Sequence, residues 1–296
     1  MSTWDQIQQA IGEARGEPFV ADGRSSQGGG CINQAFSITG DDGSSYFVKL
    51  NQAGRLSMFE AEAQGLQAMH ATRTVRVPEP LVTGAGQEHS FIVMEKLSLG
   101  GSGGGAAEKL GTQLAAMHRH GEPRFGFHCD NTIGSTHQPN DWASDWVDFW
   151  RDQRLGYQLD LAGRNGCGRG LLHQGERLLA SFPTLFESYS PAVSLIHGDL
   201  WAGNWSTGGD GEPVIFDPAT YYGDREAELA MTELFGGFGT GFYAAYNEAW
   251  PLDPGYEQRK TLYKLYHVLN HFNLFGGGYA SQAESMMDRL LSELSG

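Results

Sequence analysis

The sequence predicts an α+β protein of two lobes. Residues 1–97 form a small β-sheet N-terminal lobe with one main helix, and residues 98–296 a large, mostly helical C-terminal lobe. Three observations predict this. Between residues 32 and 94, short apolar strands alternate with turn residues around one helical stretch. Residues 99–105, LGGSGGG, make a flexible connection suited to a lobe boundary. Beyond it most segments repeat apolar residues every three or four positions, the period of a helix.

The elements follow in order. MSTWDQIQQAIGEARG places Trp4, Ile7 and Ile11 on one helix face, and it lacks the basic start and apolar stretch of a signal peptide. In SSQGGGCINQAFSI, alternation starts at Ile32 and continues through Phe36 and Ile38. Asp41-Asp42-Gly43 is a turn and Tyr46–Leu50 the returning strand, so the glycine run lies at or just before a β-hairpin. Ser57–His70 reads as a helix with Phe59, Ala63, Leu66 and Met69 inward. Val77-Pro78-Glu79-Pro80 breaks the chain before two strands, Leu81–Thr83 and Ser90–Met94. In the second lobe, helices are expected over 106–120, 142–162, 171–181, 225–235, 242–248, 256–275 and 280–294. Two short strands among them end near Asp199 and Asp217.

A net charge of −15 argues against nonspecific nucleic-acid binding and against an anionic membrane surface. It is compatible with an anionic nucleotide, because Lys, backbone N–H groups and a cation in a cleft outweigh distant surface charge. No apolar run approaches the roughly 18 residues of a membrane span. The expectations are therefore a cytoplasmic protein, monomer or homodimer, with no nucleic-acid or membrane partner. Cys31, Cys129 and Cys167 are widely spaced with no CxxC, which argues against a disulfide framework or structural zinc site. Cys129 and Cys167 read as reduced, partly buried thiols.

The chemistry concentrates in LIHGDLWAGNW, residues 195–205. His197, Asp199 and Asn204 stand in the order H-x-D-x-x-x-x-N on a loop after an apolar run, and Val214-Ile215-Phe216 ends in Asp217. In such an arrangement one Asp orients and deprotonates a hydroxyl, while the Asn and the second Asp hold Mg²⁺ on a nucleotide triphosphate. Asp199 is the candidate base, and Asn204 and Asp217 are the candidate Mg²⁺ ligands. His197 is expected to shape the loop by bonding to backbone. Lys49 lies between apolar neighbours in FVKL, where a Lys needs a partner, and Glu62 on the following helix is the expected one. A Lys so held can reach nucleotide phosphates. Gly28, Gly29 and Gly30 match neither a Walker loop nor a dinucleotide fingerprint, but let backbone N–H groups approach phosphate. Cys31 then lies in the loop over the nucleotide, accessible to oxidants. Met94, Glu95 and Leu97 fall at the hinge, where the backbone of Glu95 and Leu97 is expected to read adenine. Asp224 precedes a helix and reads as its N-cap.

Lys49, Glu62, Met94–Leu97, Asp199, Asn204 and Asp217 together resemble the protein-kinase-like superfamily, most closely its aminoglycoside and choline kinase branch. In that branch the Mg²⁺-binding Asp is not followed by Phe-Gly, and here Pro218 follows Asp217. GGGCINQAF, FVKLN, EAEAQGL, HGDLWAGNW, IFDPATYYGDRE and LYHVLNHFNLFG, with the 125–155 segment, look like the fructosamine kinase family across nearly the whole chain. One departure is Glu228, where an Asp is more typical. The resemblance implies a protein-kinase-like fold and ATP-dependent, Mg²⁺-assisted phosphorylation of the 3-hydroxyl of a ketosamine, free or on a protein. The phosphate then favours release of the sugar, a deglycation repair. Trp201, His267, Asn270 and His271 are the expected acceptor contacts. A kinase acting on an aminoglycoside, choline or another hydroxylated amine is the alternative.

Overall fold

The computed structural model describes residues 2–28, 32–101 and 104–295. Gly29, Gly30 and Cys31 of the glycine run lie outside the described residues. The chain packs as two compact units. The first holds residues 1–106 and 205–218, the second 107–204 and 219–296. The sequence-based division at 97/98 is a single cut, whereas here a short hairpin from the middle of the chain joins the first unit. Its backbone explains why: Ile215 N–H donates to Arg76 O at 3.0 Å, Gly209 N–H to Ser98 O at 2.8 Å, and Gly100 N–H to Thr207 O at 2.9 Å.

The first unit opens with α1 (Thr3–Arg15), capped by a reciprocal Ser2–Asp5 box and ended by Gly16 at φ 75°. The sheet then takes β1 (Ala21–Gln27), β2 (Gln34–Gly40), β3 (Ser45–Gln52), β4 (Pro80–Ala85) and β5 (His89–Glu95) in the order β1-β2-β3-β5-β4. Adjacent strands are all antiparallel. The glycine run connects β1 to β2, so it follows a strand instead of preceding the first one. Sequence periodicity misses β1 because ADGRSSQ is a polar, largely exposed edge strand with no alternation to detect. Ile7 and Ile11 of α1 pack on Ile38, Val48, Phe91 and Val93 of one sheet face. Since side chains alternate along a strand, Lys49 faces away from that core, beside Ala35 and Ile92. Helix α2 (Leu56–Thr72) buries Phe59, Ala61, Leu66 and Met69, with Ala61 in place of the expected Ala63. The strands β9 (Trp205–Thr207) and β10 (Pro213–Ile215) form the added hairpin.

In the second unit, α3 (Ala106–His118) leads to a small hairpin, β6 (Asn131–Ile133) and β7 (Thr136–Gln138). The helix expected over 142–162 begins later and is interrupted. It comprises α4 (Trp146–Trp150), a π-helical turn (Arg151–Leu155) and α5 (Gly156–Arg164). Next come α6 (Arg169–Ser181) and β8 (Val193–Ile196), which pairs antiparallel with β11 (Tyr221–Asp224). Helices α7 (Arg225–Leu234), α8 (Thr240–Ala249), α9 (Tyr256–Phe275) and α10 (Tyr279–Glu293) complete it. Tyr263 and Tyr266 of α9 pack against Trp150, and Tyr263 also against Trp146. Among the described residues no helix is long and apolar enough to cross a membrane. Cys129 and Cys167 are partly buried, and burial raises both thiol pKa values.

Candidate active site

In the first unit, Lys49 is 5% exposed and its ammonium donates to Glu62 Oε1 at 2.5 Å and Asp217 Oδ1 at 2.7 Å. Burial disfavours the charged ammonium, but the Asp217 and Glu62 carboxylates outweigh it and raise the Lys49 pKa. Burial raises the Glu62 carboxyl as well, against the pull of Lys49. Asp217 has φ 60°, a left-handed conformation in which Asp is over-represented among side-chain-bearing residues. Its side chain is 49% exposed, so the carboxylate meets both the ammonium and solvent.

In the second unit, the loop after β8 is held from behind. Glu228 on α7 is fully buried and accepts His197 N–H at 2.9 Å, Gly198 N–H at 2.7 Å and His118 Nε2–H at 2.9 Å. Burial disfavours its charge, but the His118 bond, the His118 and His197 rings and the His197 backbone N–H together leave its pKa lowered. His118 is in turn bonded to Tyr246 Oη at 2.8 Å. Gly198 sits at φ 84°, and a Cβ there would lie 2.1 Å from Ala219 O, so only glycine fits. His197 is buried and its Nδ1 accepts Asp199 N–H at 3.2 Å, while its carbonyl accepts Ala219 N–H at 2.9 Å. Asn204 turns its amide nitrogen to Asp199, at 2.8 Å from the carbonyl and 3.4 Å from Oδ2. Trp201 folds its ring over Gly203 and stays 39% exposed.

Sequence reasoning passed over Glu228 except as a departure from type, and it did not raise His118. The bonds Glu228 receives come mostly from backbone N–H groups, which leave no mark in the sequence. The available signal was an acid in the first turn of a helix with apolar neighbours, Ala227 and Leu229.

Other expected residues are placed as follows. Asp224 caps α7 through Glu226 N–H at 3.0 Å, and its carboxylate also accepts Tyr189 and Tyr263 hydroxyls at 3.0 and 2.5 Å. Met94 is buried in β5. The Glu95 N–H, expected at adenine, is committed to the Glu79 carbonyl at 2.8 Å, a correction that strand pairing imposes. Leu97 is half-buried just past β5. Asn270 is not at an open pocket: it is buried, accepting from Gln158 and donating to Ile133 O, both at 3.3 Å. His267 is also enclosed, and burial, with His271 and Arg154, pushes its pKa down to about 3. Both are corrections to the acceptor set, since helical period does not distinguish a satisfied core polar group from one facing a ligand. His271 differs. It is partly exposed, with ring centroids of Phe235 at 4.9 Å, Tyr279 at 5.2 Å and Phe275 at 5.7 Å. Its Nδ1–H donates to His267 O at 2.8 Å, so Nε2 is the acceptor nitrogen of the neutral ring. Trp201 reaches the same aromatic group through Phe235, at 6.5 Å.

Asp217 in the first unit and Asn204 in the second each carry a side-chain oxygen of a kind that binds Mg²⁺. The described residues contain no group of three or more His, Cys, Asp or Glu able to cage an ion. Mg²⁺ bound with phosphates needs only one or two protein oxygens of the kind Asp217 and Asn204 carry.

The family model described as fructosamine kinase matches residues 3–293. A chloroplastic protein-ribulosamine 3-kinase of Arabidopsis thaliana is 50% identical over 277 residues, which span 91% of this chain and 82% of that one. The crystal structure of a candidate fructosamine-3-kinase from Haemophilus somnus 129PT superposes with a TM-score of 0.89 at 30% identity, covering 97% of both chains. An ADP-bound aminoglycoside phosphotransferase, APH(2'')-Ib, shares the fold at TM-score 0.64 and 11% identity, covering 97% of this chain and 98% of that one.

Proposed function

Because the chain belongs to the fructosamine kinase family, we propose that it is an ATP-dependent kinase that phosphorylates the 3-hydroxyl of ketosamines, the sugar adducts of free or protein-bound amines. The observation that carries this reading is the buried Lys49 ammonium, shared between Glu62 and Asp217. A charge so expensive to bury is explained by phosphates that it will meet.

Asp199 accepts the proton of the sugar 3-hydroxyl as that oxygen bonds to the γ-phosphorus and ADP leaves. The Glu228 and His197 bonds fix its loop, so catalysis is chiefly positioning and charge stabilisation. Lys49, held by Glu62, neutralises phosphate charge. Asn204 and Asp217 would hold Mg²⁺, which when bound would offset further charge on the phosphates. Gly28–Gly30 cover the phosphates; a Cβ at Gly28 would meet no atom of the described residues within 4 Å. The hinge contributes Met94 packing and the backbone of Glu95 and Leu97, less the Glu95 N–H. Trp201 and His271 are the acceptor contacts that support favours. The 3-phosphate eases elimination of the sugar, a repair outcome that returns the amine.

The test is phosphate transfer from labelled ATP to ribulosamine and fructosamine acceptors, with the product position read by NMR. A 3-phosphate is expected, and Asp199→Ala or Asp217→Ala should lower turnover by roughly 10³-fold with the fold intact. Transfer to aminoglycosides or choline but to no ketosamine would sink the reading.

A further inference from the structure

Arg154 stands in the π-helical turn between α4 and α5 and is completely buried. A buried guanidinium is costly unless a carboxylate answers it. Its hydrogen bonds go instead to neutral acceptors: Pro139 O at 2.6 Å, Gln153 O at 2.9 Å and Asn140 Oδ1 at 2.6 Å. Nε has no partner. The guanidinium lies over the Tyr221 ring at 4.0 Å and the Phe149 ring at 4.6 Å. The wide turn that carries it closes by a bond from Gly156 N–H to Arg151 O, and a Cβ at Gly156 would come within 2.4 Å of that oxygen. Wide turns of this kind occur disproportionately at functional sites.

Two routes lead from Arg154 to the residues just before Asp199. The first passes through Tyr221, which pairs with Ile196 across β11 and β8 and whose ring packs against Gly198. The second passes through Asn140 and Pro139 to the adjoining β6–β7 hairpin. From there Gln138 Nε2 donates to Ala219 O at 3.2 Å and Asn131 Nδ2 to Thr220 O at 2.8 Å. Ala219 N–H then bonds the His197 carbonyl at 2.9 Å. A core position that needed only volume would take Met or Leu at lower cost. A planar cation that grips a ring and two carbonyls fixes orientation, which an apolar side chain does not.

We propose that Arg154 is a positioning residue for phosphoryl transfer, which sets the placement of the His197–Asp199 loop through Tyr221 and the 131–138 hairpin. It rests on the reading of Asp199 as the base. The burial of the Tyr266 phenol raises its pKa, with Arg154 opposing and Asp199 adding to the shift, so both charges act on one ring.

The test compares Arg154→Met, Arg154→Lys, Tyr221→Leu and the Met/Leu double variant for kcat, KM for each substrate and melting temperature. A misplacement of about 1 Å costs roughly 10²-fold in turnover. Arg154→Met is expected to lose about that much in kcat, with KM for ATP changed less than about twofold. Arg154→Lys, which keeps the charge, should recover about tenfold. Tyr221→Leu, which cuts only the first route, should lose turnover in the same direction but no more than Arg154→Met, and the double variant should be little worse than Arg154→Met alone. Parental kcat in Arg154→Met, or losses that multiply in the double variant, would overturn the proposal. Should Arg154→Met not fold, parental kcat in both Arg154→Lys and Tyr221→Leu would overturn it equally. The wild-type rate on ribulosamine tests the proposed function by itself. The Arg154 result is the ratio of variant to wild type on whichever hydroxyl acceptor the wild type uses.

Discussion

Lys49 and the Asp199 loop are both held in place, but by different physics. Lys49 is held by charge: two carboxylates on separate elements meet one ammonium, and one of them is half open to solvent. Asp199 is held through its backbone: the peptide groups on its N-terminal side are pinned by a fully buried Glu228 and a glycine that admits no side chain. A charge-held group can exchange partners when a competing charge arrives. A backbone-held loop cannot move without leaving buried N–H groups unpaired, which costs more than most side-chain contacts contribute. The difference assigns adaptability to the Lys49 side and rigidity to the Asp199 loop.

Removing the anchor of each region separates them most sharply. Glu228→Ala leaves two buried N–H groups and His118 without their acceptor. It should lose about 3–5 kcal/mol of stability, the usual cost of breaking a buried charged pair, and nearly all activity with it. Lys49→Met should lower turnover by roughly 10²–10³-fold, as removal of a charge-stabilising donor does. Its stability should fall by no more than about 1–2 kcal/mol, because Met suits the strand and Glu62 can take up a proton. Urea titrations of both variants beside kcat measurements decide the matter. A Lys49→Met protein less stable than Glu228→Ala would reverse the distinction.

The same difference governs what could be read from the sequence. A Lys among apolar residues announces that it needs a partner, and the reading named Glu62, with which the ion pair is present. Helix α9 matches its expected limits, Tyr256–Phe275, because its apolar period is long and uninterrupted. The β1 strand was hidden by its polar, exposed sequence, and the π turn because one extra residue per turn is below what periodicity resolves. The β6–β7 hairpin was hidden because its strands are three residues each. Long-range partners were the general blind spot. The β9–β10 hairpin joins the first unit through bonds to Arg76 and residues 98–101, over a hundred positions away in sequence. The burial of Asn270 depends on Gln158 and Ile133 in the same way.

Acid should probe the second unit through His267. Burial holds its folded pKa at about 3, against an ordinary value of 6.5. Between those values the unfolded chain binds a proton that the folded chain refuses, so the unfolded state gains as pH falls. The His267 contribution is therefore complete above about pH 6.5 and is lost as pH drops toward 3, at up to about 1.4 kcal/mol per pH unit. His267→Gln should flatten this acid limb while leaving KM for the acceptor near the parental value, since the ring is enclosed. An unchanged acid limb would show that another group carries the loss.

The smallest effect should come from Gly203→Ala. Its backbone has no unusual conformation, so the substitution acts only through space. The new methyl carbon would lie 2.2 Å from the Trp201 ring, which is 39% exposed and can swing aside. Asp199 keeps its Glu228-anchored backbone throughout. If the loop is as rigid behind Asp199 as its bonds require, displacing Trp201 should raise acceptor KM by about three- to tenfold and leave kcat within about twofold. A matching fall in kcat would mean that the Trp201 side of the loop drags Asp199 with it, and that the loop is less firmly held than its Glu228 anchor requires.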